Sequence, residues 1–187
     1  MKPVNLPIFP LKLVVLPGTI QGLQIFEPRY LNMVKQCMSN ASNFVISYKS
    51  DRFDDFDFGI EKVGTSVQIV DFNNLPNGLL GITVKAESKV TLNNIIQLED
   101  KSYLGEALPL TEPEVDDQSL LAKYPDLIEV LVKLKEHPEI KTLQLDIDLD
   151  SADSVTYHLG NLIPLTADEK QTLLTCLLYT SDAADEV

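Results

Sequence analysis

Tryptophan is absent from this 187-residue chain, cysteine and histidine occur twice each, and there are only eight glycines. Two cysteines, Cys37 and Cys176, give neither a disulfide framework nor metal-ligand spacing. Two dispersed histidines, His137 and His158, with no partnered cysteine, leave no ligand set for a metal and no Cys–His nucleophile. The few glycines build no phosphate-cradling loop of either standard spacing. No catalytic residue, cofactor or metal is therefore expected. Basic residues are scarce as well: 15 Lys and Arg stand against 28 Asp and Glu, a net charge of −13. The deficit is uneven, with 10 basic and 12 acidic side chains in residues 1–112 but 5 and 16 in residues 113–187. Nucleic-acid binding depends on cations that neutralise phosphates, so neither nucleic acid nor an anionic membrane is an expected partner. No apolar run approaches the roughly 18 residues that span a bilayer. Pro7, Pro10 and Lys12 interrupt the stretch a signal peptide would need, so the expected location is the cytoplasm.

What the chain does have is apolar material, 44% of its residues, enough for a core. The first hundred residues read as strands at Pro7–Val15, Ile20–Phe26, Phe44–Tyr48, Thr65–Phe72, Leu79–Val84, Lys89–Leu98 and Tyr103–Leu108, with a turn at Asn73–Gly78. Strands this close in sequence suggest an antiparallel meander or small barrel. One helix interrupts them, opened by Glu27-Pro28 and carrying Tyr30, Leu31, Val34, Cys37 and Met38 on one face. This spacing makes Cys37 a core residue, and no basic neighbour in sequence lowers its pKa.

After Pro109 and Pro113 the pattern turns helical. Glu114–Tyr124 is a short candidate. Asp126–Glu136 carries so wide an apolar band (Leu127, Ile128, Val130, Leu131, Val132, Leu134) that it is expected to be buried. Asp150 or Ser151 caps a helix with Val155, Leu159 and Leu162 on one face, and His158 borders that face. Thr166 and Glu169 have capping-box spacing and open a last helix. Asp146-x-Asp148-x-Asp150 invites a calcium reading, but an EF-hand loop would need glycine and glutamate where Ser151 and Tyr157 stand. The acidic loop Asp51–Asp57 fails the same spacing.

Pro7-Ile-Phe-Pro-Leu-Lys-Leu-Val-Val-Leu-Pro-Gly18, followed by Leu23-x-Ile-Phe-Glu-Pro-Arg-Tyr-Leu31, resembles the opening of the Lon protease N-terminal substrate-binding domain family. Gly59-Ile-Glu-Lys-Val-Gly-Thr-Ser-Val-Gln-Ile69, Leu162-Ile-Pro-Leu-Thr and Glu169-Lys-Gln-Thr-Leu-Leu174 extend the similarity over residues 4–175. Ala86 and Lys89-Val90 depart from the glycine and arginine–aromatic pair common in the family. The resemblance implies an α+β fold: a PUA-like β pseudo-barrel over 1–110 enclosing one helix, then a small helical bundle over 111–175. It also implies a non-catalytic module that binds unfolded or partner polypeptides. Two alternatives stay open: an N-terminal fragment of an ATP-dependent Lon-type serine protease, and a dedicated protein-interaction adaptor. Residues 176–186 resemble the in-frame translation of a transposase-based sequencing adapter, so 176–187 reads as an artefactual tail.

Apolar side chains among loop charges mark the candidate contact surface. Phe53 and Phe56 stand among the aspartates of 51–57, and Leu75 and Leu79 flank the hairpin turn. These four are the expected polypeptide-binding residues. Phe9, Leu11, Phe26 and Tyr30 are expected to serve the barrel core.

Overall fold

The computed structural model of the protein describes residues 2–50, 58–110, 116–141 and 145–176. Phe53, Phe56 and the tail beyond Cys176 lie outside the described residues. The chain divides into two compact units, one formed by Met1–Val15 with Ile20–Leu110, the other by Leu16–Thr19 with Thr111–Val187.

The first unit contains β1 (Val4–Leu11), β2 (Ile20–Ile25), α1 (Pro28–Asn40), β3 (Phe44–Tyr48), β4 (Val63–Asn74), β5 (Leu80–Gln97) and β6 (Tyr103–Pro109). The strands form one sheet in the order β2-β5-β4-β3-β1-β6, and β5 pairs with β6 as well. The pairings β5–β4–β3–β1–β6–β5 thus close on themselves, with β2 attached outside the circuit. Only β1 and β3 run parallel. Two expected strands, Leu79–Val84 and Lys89–Leu98, are one: β5 continues through its polar middle because β4 holds it up to Thr91 and β6 takes it from Val90 onward. Irregular registers between Ser66 and Val67 and between Ile69 and Asp71 let β4 bend.

Helix α1 starts where expected. Glu27 is extended at the N-cap and Pro28 occupies the first turn, where its missing N–H costs nothing. Tyr30, Met33, Val34 and Cys37 recur at helical spacing and are buried. They share one core with Phe9, Phe44, Ile46, Val67, Ile82 and Val84. The helix ends at Ala41, whose φ of 47° is left-handed.

The second unit contains α2 (Asp117–Lys123), α3 (Pro125–Glu136), α4 (Pro138–Lys141), α5 (Ala152–Leu162) and α6 (Ala167–Thr175). Its core joins Leu131, Ile147, Val155 and Leu159. Leu16 is fully buried here, its Cδ1 close over Gly160. Ser151 caps α5 through the Ser154 N–H, and Thr166 with Glu169 forms the expected capping box. Helix α3 corrects the sequence expectation. Only Leu131 is buried, while Leu127 and Val130 are 49% and 44% exposed. Among the described residues of the second unit, α2, α4, α5 and the segment around Ile147 meet one stripe of this helix, not its whole band.

Candidate functional site

The hairpin joining β4 to β5 is tighter than expected, because Asn73 and Asn74 belong to β4. The Gly78 N–H donates to the Leu75 carbonyl (2.9 Å), with Pro76 preset for the second turn position and Gly78 left-handed at φ 79°. The Leu75 N–H donates to the Leu79 carbonyl (2.9 Å), and Asn77 Oδ1 accepts from the Leu79 N–H (3.1 Å). These bonds hold Leu75 and Leu79 on a rigid turn, and both are half-buried.

Leu75 is placed by a missing side chain. Gly81 faces Asn73 on β4 and Gln24 on β2. A Cβ on Gly81 would stand 2.4 Å from Asn73 Oδ1 and 3.2 Å from Leu75 Cγ and Cδ2. The bare backbone therefore forms a floor on which Leu75 lies.

Phe26 completes the surface. The last pair between β2 and β5 is Ile25 with Leu80, so Phe26 and Leu79 are the next positions on the two strands. Continuing the alternation of the two strands by one residue sets both beside the Gln24–Gly81–Asn73 face. Phe26 is 66% exposed. Its neighbours explain why the segment is fixed. Tyr30 is buried with its ring 4.2 Å from that of Phe9. Arg29 pairs with Glu27 (2.7 Å) and lies 4.6 Å over the Tyr30 ring. Thus Phe9 and Tyr30 serve the core as expected, Leu11 is half-buried, and Phe26 does not serve it at all. Its exposure was legible only as a phenylalanine directly before a Glu-Pro helix start, where the strand must already have ended. On the opposite face, Phe72 pairs with Ile82 in register and is 57% exposed.

The titratable groups point away from nucleophilic chemistry. Burial pushes the Cys37 thiol above its ordinary pKa. His158 is buried, and its Nδ1 lies 2.8 Å from the Ser154 carbonyl, so that nitrogen carries the proton. Among the described residues no group of three or more His, Cys, Asp or Glu is placed to hold a metal, Asp146, Asp148 and Asp150 included. No described helix is long and apolar enough to cross a membrane.

A family model described as the ATP-dependent protease La (LON) substrate-binding domain matches residues 5–178. Lon protease 1 of Thermus thermophilus is 30% identical over 190 residues, covering 91% of this chain and 22% of that protein. The Lon protease of Xanthomonas oryzae is 25% identical over 183 residues, covering 91% and 21%. The chain thus spans about a fifth of the length of these relatives. The crystal structure of a Lon N-terminal domain protein from Xanthomonas campestris superposes with a TM-score of 0.70 at 26% identity, covering 93% of this chain and 91% of that one. The N-terminal domain of a Mycobacterium avium complex Lon protease shares the fold, with a TM-score of 0.69 at 16% identity over 91% and 89% of the two chains.

Proposed function

Because the chain belongs to the ATP-dependent protease La (LON) substrate-binding domain family, we propose that it binds exposed apolar segments of other polypeptides without transforming them. The contact surface in this reading is Phe26, Leu75 and Leu79. The observation that carries it is Phe26: two-thirds exposed, beside a rigid turn that presents two leucines. Apolar side chains left out of the core in this way are a usual mark of protein binding. Phe53 and Phe56, which lie outside the described residues, are proposed as binding residues on sequence grounds alone. In the same reading the closed circuit of strands is a PUA-like pseudo-barrel, residues 111–175 are a helical subdomain, and the protein works in the cytoplasm.

The length of the relatives favours a second reading, in which this surface delivers clients to ATPase and peptidase segments encoded downstream. Genomic sequence beyond residue 175 separates the two: a phosphate-binding glycine loop supports the protease, and an early stop codon supports the module.

The surface itself is tested by anisotropy of a fluorescent, permanently unfolded client titrated with wild type and with Phe26→Ser/Leu79→Ser. Burial of a large apolar side chain contributes about 1.5–3 kcal/mol, so the double variant should bind at least about tenfold more weakly. An unchanged affinity, with the fold intact by circular dichroism, would sink the assignment.

A further inference from the structure

Five of the six strands have a neighbour on each side, but β2 pairs with β5 alone, so among the described residues its other edge has no backbone partner. Free edges are normally protected by lysine, proline, a bulge or a covering segment. Ile20-Gln-Gly-Leu-Gln-Ile25 has no charged residue and no proline, and it keeps an unbroken six-pair register with β5. Ile20, Gly22 and Gln24 are exposed, and nothing lies within 4 Å of where a Cβ on Gly22 would be. The Gly22 carbonyl accepts a hydrogen bond from Gln21 Nε2 at 2.9 Å. That bond marks the even-numbered positions as those whose backbone groups face away from β5, and it covers the Gly22 carbonyl alone.

We propose that β2 is a template on which a client polypeptide adds as a further strand. The proposal rests on the polypeptide-binding reading above and says how the client is held. Residues 20, 22 and 24 supply a row of N–H and C=O groups that an extended chain satisfies with its own backbone, whatever its side chains. The Gln21 amide swings off the Gly22 carbonyl as the strand docks. Phe26, at the end of the same strand, then adds a preference for an apolar residue at one end of the bound segment. Backbone recognition fits a protein whose clients share exposure and not sequence. A folded partner whose sheet edges are protected by charge, proline or a covering segment offers such an edge little to pair with.

The test uses the full 187-residue chain and a fluorescent peptide of alternating valine and threonine with lysine ends, about one ordinary strand long. Two derivatives carry backbone N-methyl groups at alternate residues, one set for each phase. The result expected is asymmetric. Methylation in the phase facing β2 removes donors and weakens binding at least about tenfold, while the solvent-facing phase leaves it unchanged. Gln24→Pro, which removes an outward N–H from an edge where proline is tolerated, should reproduce the loss. Equal binding of all three peptides overturns strand addition while leaving polypeptide binding in place. A chain that is dimeric until Gln24→Pro makes it monomeric overturns it too, in favour of β2 pairing with a second copy. Failure of the wild type to bind either the plain peptide or an unfolded client removes the polypeptide-binding reading itself. If Gln24→Pro does not fold, the methylated pair still decides.

Discussion

The two units solve the problem of covering apolar side chains differently. In the first, α1 places four residues in a core shared with strands from across the sequence. In the second, α3 has a comparable supply of apolar side chains but places one residue in the core. Packed against the sheet of the first unit, α1 buries a continuous stripe at i, i+3, i+4 and i+7, whereas α3, among short helices, buries a single position. Wide apolar bands are thus a poor guide to burial outside such a sheet. Charge follows the same division: the second unit holds most of the excess acid, and it also has the larger share of solvated helix surface.

The comparison is broken most sharply by core truncations. Phe44 is fully buried between the Phe9 ring and the α1 face, so Phe44→Ala should cost about 3–5 kcal/mol in urea unfolding. Leu131→Ala, its counterpart in the second unit, should cost about 2–5 kcal/mol, whereas Val130→Ala, one position away, should stay within about 1 kcal/mol. If Val130→Ala matched Leu131→Ala, the stripe account of α3 would be wrong. Gly64→Ala belongs with the large effects, because its Cβ would stand 2.7 Å from the Ile46 carbonyl and 2.9 Å from Val45 Cγ1.

Alkali probes both units at once. Burial holds the Tyr30 hydroxyl protonated, raising its pKa from 10.0 to about 12, with the Arg29 guanidinium pulling the other way. The unfolded chain releases that proton near pH 10 and the folded chain keeps it to about 12, so stability present at neutral pH falls as pH rises across this window. Burial moves Tyr157 in the same direction. Tyr30→Phe should flatten the alkaline limb of a stability–pH curve, and a limb unchanged in both single Tyr→Phe variants would contradict the burial argument.

Caps give the smaller effects. Thr166→Ala removes the acceptor for the Glu169 N–H and should cost about 1 kcal/mol. Ala41→Gly should go the other way, adding up to about 1 kcal/mol, because Ala41 is held left-handed at φ 47°. Deleting residues 176–187 should change the unfolding free energy by less than about 0.5 kcal/mol if the tail is foreign.

Local chemistry was legible in the sequence to the residue where a short-range rule governed it. Pro28 at the α1 start and the Thr166 box depend on neighbours within one turn, and the same rule narrowed the α5 cap to Asp150 or Ser151, of which Ser151 holds it. Long-range pairing was not. Nothing near Lys85–Ser88 shows that β5 runs on, since what carries it through is β4 on one side and β6 on the other. The expected strand Pro7–Val15 runs on through the apolar Leu13–Val15, yet β1 stops at Leu11. Val15 then enters the first core and Leu16 the second unit. At the candidate surface, the turn that carries Leu75 and Leu79 was legible because glycine and asparagine announce a turn. Phe26 was missed because a motif that reads as a core staple contains one residue that is not part of it.

The chain leaves the first unit at Leu16, returns at Ile20, and leaves again at Thr111. A four-residue piece of the second unit is therefore made long before the rest of it, and the glycine beneath Leu16 follows only at position 160. On the ribosome the strand unit can assemble while Leu16 waits, uncovered, for helices that do not yet exist. A fragment cut at residue 110 would carry the same exposed leucine permanently, and a fragment beginning at 111 would lack it. Neither cut isolates a finished unit, so expressing either half alone should yield a less soluble protein than the whole, a liability that supplying Leu16–Thr19 to the second half as a grafted segment should relieve.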